Sequence, residues 1–145
     1  MKVIHGLIAG AFALVSMNGA AAAADYTFKV GHAASSTHAF NTGVEMFAES
    51  VAEKTGGKVA IEVFGDRQLG DDKQLLEGVQ LGTIDGALVS SPIFPLAAGA
   101  AAFDALQLPF VVPSYDALSA ALSGPVGQKL LDSLDAKGMK GLSFY

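Results

Sequence analysis

The chain has 145 residues, with fourteen acidic against nine basic side chains, a formal net charge of −5 and no cysteine. Its Lys and Arg are too few and too scattered for a nucleic-acid surface, which needs clustered cations. The lack of cysteine removes disulfides, thiol nucleophiles and a lipidated amino terminus together.

In chain order, Lys2 precedes an apolar run from Val3 to Val15, and Ala20-Ala21-Ala22-Ala23-Ala24 follows. A charged start, a short apolar core and an A-x-A site mark residues 1–24 as an export signal peptide. The run falls short of the roughly 20 residues that span a bilayer, which disfavours a retained anchor. The mature domain is then 25–145, with a net charge near −6 once Lys2 is gone, and a length that suits one domain. Within it the pattern predicts a strand over Tyr26–His32, a helix over Asn41–Thr55, a strand over Val59–Phe64, a helix over Asp72–Leu81 and a strand over Gly86–Val89. Ser90 to Pro113 reads as loop, with Ala97–Ala102 either a short helix or irregular. A helix over Tyr115–Leu122 with Ser114 as N-cap follows, then one over Val126–Lys137, opened by Gly124-Pro125 and closed by Gly138, and a final strand over Leu142–Tyr145. The sharpest unit is 67–85. Gly70 permits a turn, Asp71 or Asp72 (Asp72 preferred) caps a helix, Leu75, Leu76 and Val79 recur at helical spacing, and Gly82 falls where a left-handed C′ residue belongs. Strands alternating with amphipathic helices define an α/β fold with a parallel sheet. The apolar last strand, with no turn after it, would normally feed another crossover.

The segment Gln68-Leu69-Gly70-Asp71-Asp72-Lys73-Gln74-Leu75-Leu76-Glu77-Gly78-Val79-Gln80-Leu81-Gly82-Thr83-Ile84-Asp85 resembles one shared by the DctP family, the periplasmic solute-binding subunits of tripartite ATP-independent (TRAP) transporters. Similar pieces lie on both sides in the family's order: Tyr26–His32, Val44–Glu49, Lys54–Lys58, Leu108-Pro109-Phe110, Gly124–Gly127 and Lys137–Leu142. The resemblance covers essentially everything after residue 24. It implies a lobe of a two-lobe periplasmic binding protein, here the first part of lobe one, since family members are about twice as long. It further implies a small organic acid as ligand, the membrane subunits of a TRAP transporter as partners, no cofactor, no catalysis and a periplasmic location. The family's usual carboxylate anchor is an arginine beyond Tyr145. Arg67, the one arginine here, matches no such position.

Open parallel sheets bind ligands beyond the carboxyl ends of their strands, where loop amides converge. Two loops qualify, Gly31–His38 and Ser90–Phe94. In the family these loops line the cleft, which the resemblance carries onto Ala33, His38, Ser90, Ser91 and Phe94. Each also has a plainer explanation. Ser35, Ser36 and Thr37 precede a helix and are better read as caps, while Ser90 and Ser91 follow a strand as turn residues often do. His32 and His38 suggest a metal, but the third histidine, His5, lies in the signal peptide, so a hydrogen-bonding or exposed pair is the better reading. Glu45, Glu49 and Glu53 form an acidic row, a solvated helix face or a docking surface for a membrane partner. No G-x-S-x-G, H-E-x-x-H or reactive cysteine occurs, and Gly56-Gly57-Lys58 lacks the rest of a phosphate loop. The rival functions are a sensor-type binding domain for a signalling receptor and, less well supported, a periplasmic α/β hydrolase. Mass spectrometry of the exported protein should give Asp25 as the first residue; a retained Met1 would refute both the signal peptide and export.

Overall fold

A computed structural model describes residues 23–109 and 112–145, so the proposed signal peptide lies almost wholly outside the described residues. Strand β1 (Tyr26–His32) leads through helix α1 (Ala39–Lys54) to β2 (Val59–Phe64), and α2 (Asp72–Leu81) leads to β3 (Gly86–Leu88). The strands form one parallel sheet in the order β2-β1-β3. Its register runs from Tyr26 opposite Val59 to Gly31 opposite Phe64 on one side of β1. On the other side it runs from Val30 opposite Gly86 to His32 opposite Leu88. The chain thus places its second strand on one flank of the first and its third on the other, which is where an open α/β sheet reverses direction.

Helix α2 shows how the local sequence fixes an element. Asp71, not the expected Asp72, is the N-cap. Its backbone is extended, its carboxylate accepts the Gln74 amide, and the Gln74 side chain accepts the Asp71 amide in return. Asp72 is the first helical residue, and its carboxylate reaches elsewhere. At the other end Gly82 takes φ 72 and caps the helix in the left-handed form that glycine adopts without a Cβ clash. Between these ends, Leu75 and Leu76 are 0% and 3% exposed.

The main core lies beside the sheet. Leu76 packs with Ala98, Ala100, Phe103, Leu130, Leu134 and Met139. The expected loop after β3 therefore contains a helix, α3 (Ile93–Ala98), and a 3-10 stretch (Ala101–Gln107). Phe94 stacks on Phe103 at 4.5 Å within the segment, which packs against Leu76, Leu130, Leu134 and Met139 from distant elements. Helix α4 (Tyr115–Leu122) follows, with Ser114 accepting the Ala117 amide as its cap.

Two expectations need correction here. The last predicted helix is shorter: α5 spans Pro125–Asp132, and a separate 3-10 turn covers Asp135–Lys137. The Ser133 hydroxyl donates to the Leu130 carbonyl at 2.6 Å, competing with the helical ladder where it breaks. The predicted strand Leu142–Tyr145 is not one. Its aromatic side chains are engaged otherwise, Phe144 beside Phe103 and Tyr145 donating its hydroxyl to the Ala39 carbonyl at 2.8 Å. β3 offers it only a three-residue edge.

Glu45, Glu49 and Glu53 are all exposed on α1. Among the described residues no helix is long and apolar enough to cross a membrane. Chemical denaturation should show Leu76→Ala costing about 2–5 kcal/mol. Asp71→Ala should cost about 1 kcal/mol as a lost cap, and exposed Glu49→Ala should stay within about 0.5 kcal/mol of wild type. A larger effect at Glu49 than at Leu76 would reverse the assignment of helix faces.

Candidate functional site

Three loops meet at the carboxyl ends of the strands: 33–38 after β1, 65–71 after β2 and 89–92 after β3. Hydrogen bonds tie the first two together. The Asp66 amide donates to the Ala34 carbonyl at 2.9 Å, and the Ser36 amide donates to the Asp66 carboxylate at 3.0 Å. The third is tied to α2, because the Ser90 amide donates to the Asp72 carboxylate at 3.1 Å. Asp72 thus closes a contact across eighteen residues of sequence.

Beneath the loops lies a buried polar pair. His32, at the end of β1, is 0% exposed, and its Nε2 is 3.1 Å from Oδ1 of Asn41 in the first turn of α1. An amide oxygen only accepts, so this bond assigns the ring proton to Nε2. Nδ1 then has no partner among the described residues. The close approach of β2 is possible because residue 65 is glycine. A Cβ there would come within 2.9 Å of His32 Cε1 and 3.2 Å of the Asn41 oxygen.

His38, rather than Ser35, Ser36 or Thr37, caps α1: its Nδ1 accepts the Phe40 amide at 3.1 Å. Ser35 and Thr37 bond to one another through their hydroxyls. The histidines therefore do not pair. Among the described residues no group of His, Asp or Glu is placed to hold a metal ion.

The loops surround an open concavity of about 580 Å³. Of the residues expected at a site, Ala33, His38 and Ser90 line it. Ser91 sits half-buried at the turn into α3, where its carbonyl accepts the Phe94 amide. The Phe94 ring packs against Phe103 in the core. The concavity also takes in Phe40, Arg67, Asp71, Asp72, Lys73 and Ile93. Sequence reasoning used 67–73 only as a turn and a cap. The signal that could have found it is the rule already applied to the other strands, that a loop following a parallel strand borders the ligand side. Chemically the wall is mixed. Arg67, Lys73 and the His38 ring can donate to an anion, and the Ser90 hydroxyl and the Asp71 and Asp72 carboxylates can bond hydroxyl groups.

Residues 30–145 match the DctP family model, bacterial extracellular solute-binding protein, family 7. The chain belongs to the DctP family. It is 34% identical over 144 residues to the C4-dicarboxylate-binding periplasmic protein DctP of Rhodobacter capsulatus, covering 98% of this chain and 43% of that protein. It is 30% identical over 118 residues to the C4-dicarboxylate-binding protein DctB of Bacillus subtilis, covering 81% of this chain and 33% of that one. Among solved structures, a TRAP periplasmic solute-binding protein from Ochrobactrum anthropi is similar at a TM-score of 0.77 and 34% identity, over 83% of this chain and 37% of that chain. A sugar acid binding protein from Advenella mimigardefordensis, in complex with galactonate, gives 0.75 and 32%, over 81% of this chain and 37% of that one. This DctP-family chain therefore spans less than half the length of these relatives.

The buried pair generates a test. Asn41→Ala leaves Nε2 of His32 without its acceptor inside the protein, and should cost about 1–3 kcal/mol in denaturant unfolding. The same change at the neighbouring, exposed Thr42 should be nearly silent. Equal effects at the two positions would remove the His32–Asn41 bond from the structure's supports.

Proposed function

We propose that this DctP-family chain is part of an extracytoplasmic solute-binding protein that captures a small organic acid for a TRAP-type transporter. The carrying observation is the concavity at the ends of β1 and β3, with cationic donors and hydroxyl-binding carboxylates on one wall, in a chain whose family relatives bind acids. The R. capsulatus and B. subtilis relatives are named for C4-dicarboxylates, and solved relatives hold galacturonate, galactonate and succinate. These ligands share a carboxylate, and the sugar acids add hydroxyl groups. Donors for the first and acceptors for the second are what Arg67, Ser90, Asp71 and Asp72 supply. The loop residues Ala33 and His38 border the same space. Ser91 and Phe94 support it from behind, through the turn into α3 and its attachment to the core.

Binding at such a site needs no reaction, and the protein's work is capture and delivery from the periplasm after removal of residues 1–24. A second lobe, from sequence that the longer relatives carry, would enclose the ligand. Enclosure excludes water and strengthens each charge-assisted bond. The open half-site, at about 1 kcal/mol net per hydrogen bond, stays well short of the roughly 8 kcal/mol that micromolar affinity requires. The membrane partners would then take the ligand from the closed form.

Calorimetric titration of the natural full-length protein with C4-dicarboxylates, 2-oxo acids and sugar acids should find at least one acid bound at micromolar affinity or tighter. The matching neutral sugars should not bind. Binding of neutral sugars with no acid bound would overturn the reading.

A further inference from the structure

Arg67 lines the concavity with a charged side chain that neither the fold nor the capping network employs among the described residues. It lies in the turn between β2 and α2 at φ 59, directly after Asp66 at φ 52, and these are the only non-glycine residues with positive φ among the described residues. Aspartate visits this region comparatively readily because its short side chain bonds nearby, as Asp66 does to the Ser36 amide. An arginine has no such compensation. A conformation of this kind persists only where its surroundings impose it, and such places cluster at ligand sites. Here the imposition is visible. The Asp66 amide is held by the Ala34 carbonyl, and the carbonyls of Gly65 and Arg67 receive the amides of Gln68 and Gly70.

Lys73, Asp71 and Asp72 on this wall each already have a partner within the fold. Lys73 faces Glu77 at 3.6 Å, Asp71 receives the Gln74 amide and Asp72 the Ser90 amide. Arg67 has neither an ion pair nor a side-chain hydrogen bond among the described residues, yet it lines the concavity. A guanidinium presents its N–H donors as a planar fork that fits a carboxylate bidentately. The geometry points to Arg67 as a specificity-determining residue that receives a second carboxylate, so that the site selects diacids over monoacids of the same skeleton. This assignment rests on the organic-acid reading above.

The test is calorimetric titration of the natural full-length protein and its Arg67→Gly variant with two matched pairs, succinate against butyrate and galactarate against galactonate. Glycine deletes the guanidinium and accepts the left-handed turn, so the variant should melt at a higher temperature than wild type. Its affinity for the diacid of a bound pair should fall about 10- to 100-fold, the range for losing a hydrogen bond to a charged group, while the monoacid moves less than twofold. Equal losses on both members, no loss on the diacid, or a wild type that binds only monoacids overturns the assignment. An affinity loss accompanied by a lower melting temperature also overturns it, because Arg67 would then be structural. A wild type that binds no acid of any class refutes the organic-acid reading itself, and this assignment falls with it.

Discussion

The bond between His32 and Asn41 is the constraint on which the ligand side of this lobe depends. It joins the fully buried end of the central strand to the first turn of the helix that leaves it. A buried imidazole without an acceptor would be costly, so α1 is held in one position over β1. That position sets where His38 caps the helix, and hence the course of the loop 33–38. Gly65 lets β2 close over the same pair. From there Asp66 reaches back to Ala34 and Ser36, so the loops after β1 and β2 are tied to one another.

The wall formed by β3 is fixed by different means. Its backbone is clamped at Ser90 by the Asp72 carboxylate, and one turn later the chain is anchored by Phe94 stacked on Phe103. A core contact and a helix-terminal carboxylate therefore hold the same loop from two sides. Asp72 here has a dual consequence. Its charge suits the positive start of α2, and it brings an acceptor into a concavity that also holds cations. A wall of that mixed character offers cationic donors and carboxylate acceptors side by side.

Much of this was legible in the residues. The bounds of β1, β2, α2 and α4 follow from apolar runs, helical spacing and the caps at Gly82 and Ser114, all of which act within a few residues. What was not legible depends on distant partners. Asp71 and Asp72 are equivalent neighbours in sequence, and the Ser90 amide across the site is what draws Asp72 away. Helix α3 has no capping side chain and a proline inside it, and packs on a core that Leu76, Leu130, Leu134 and Met139 bring from distant elements. The last residues are apolar enough for a strand, but Phe144 and Tyr145 find better partners in the core and at Ala39. Arg67 matches no anchor position of the family, and its positive φ is a tertiary property that the residues alone do not display.

Ser90 carries a consequence of another kind. Its amide and carbonyl are both committed, to Asp72 and to the Ile93 amide, whereas no hydrogen bond among the described residues holds its hydroxyl. The fold uses this position's backbone and leaves its side chain idle. A substitution at exposed residue 90 that trades the hydroxyl for an amide or a charge should therefore cost the fold little. One scaffold can in this way present different chemistry at the same point of the concavity.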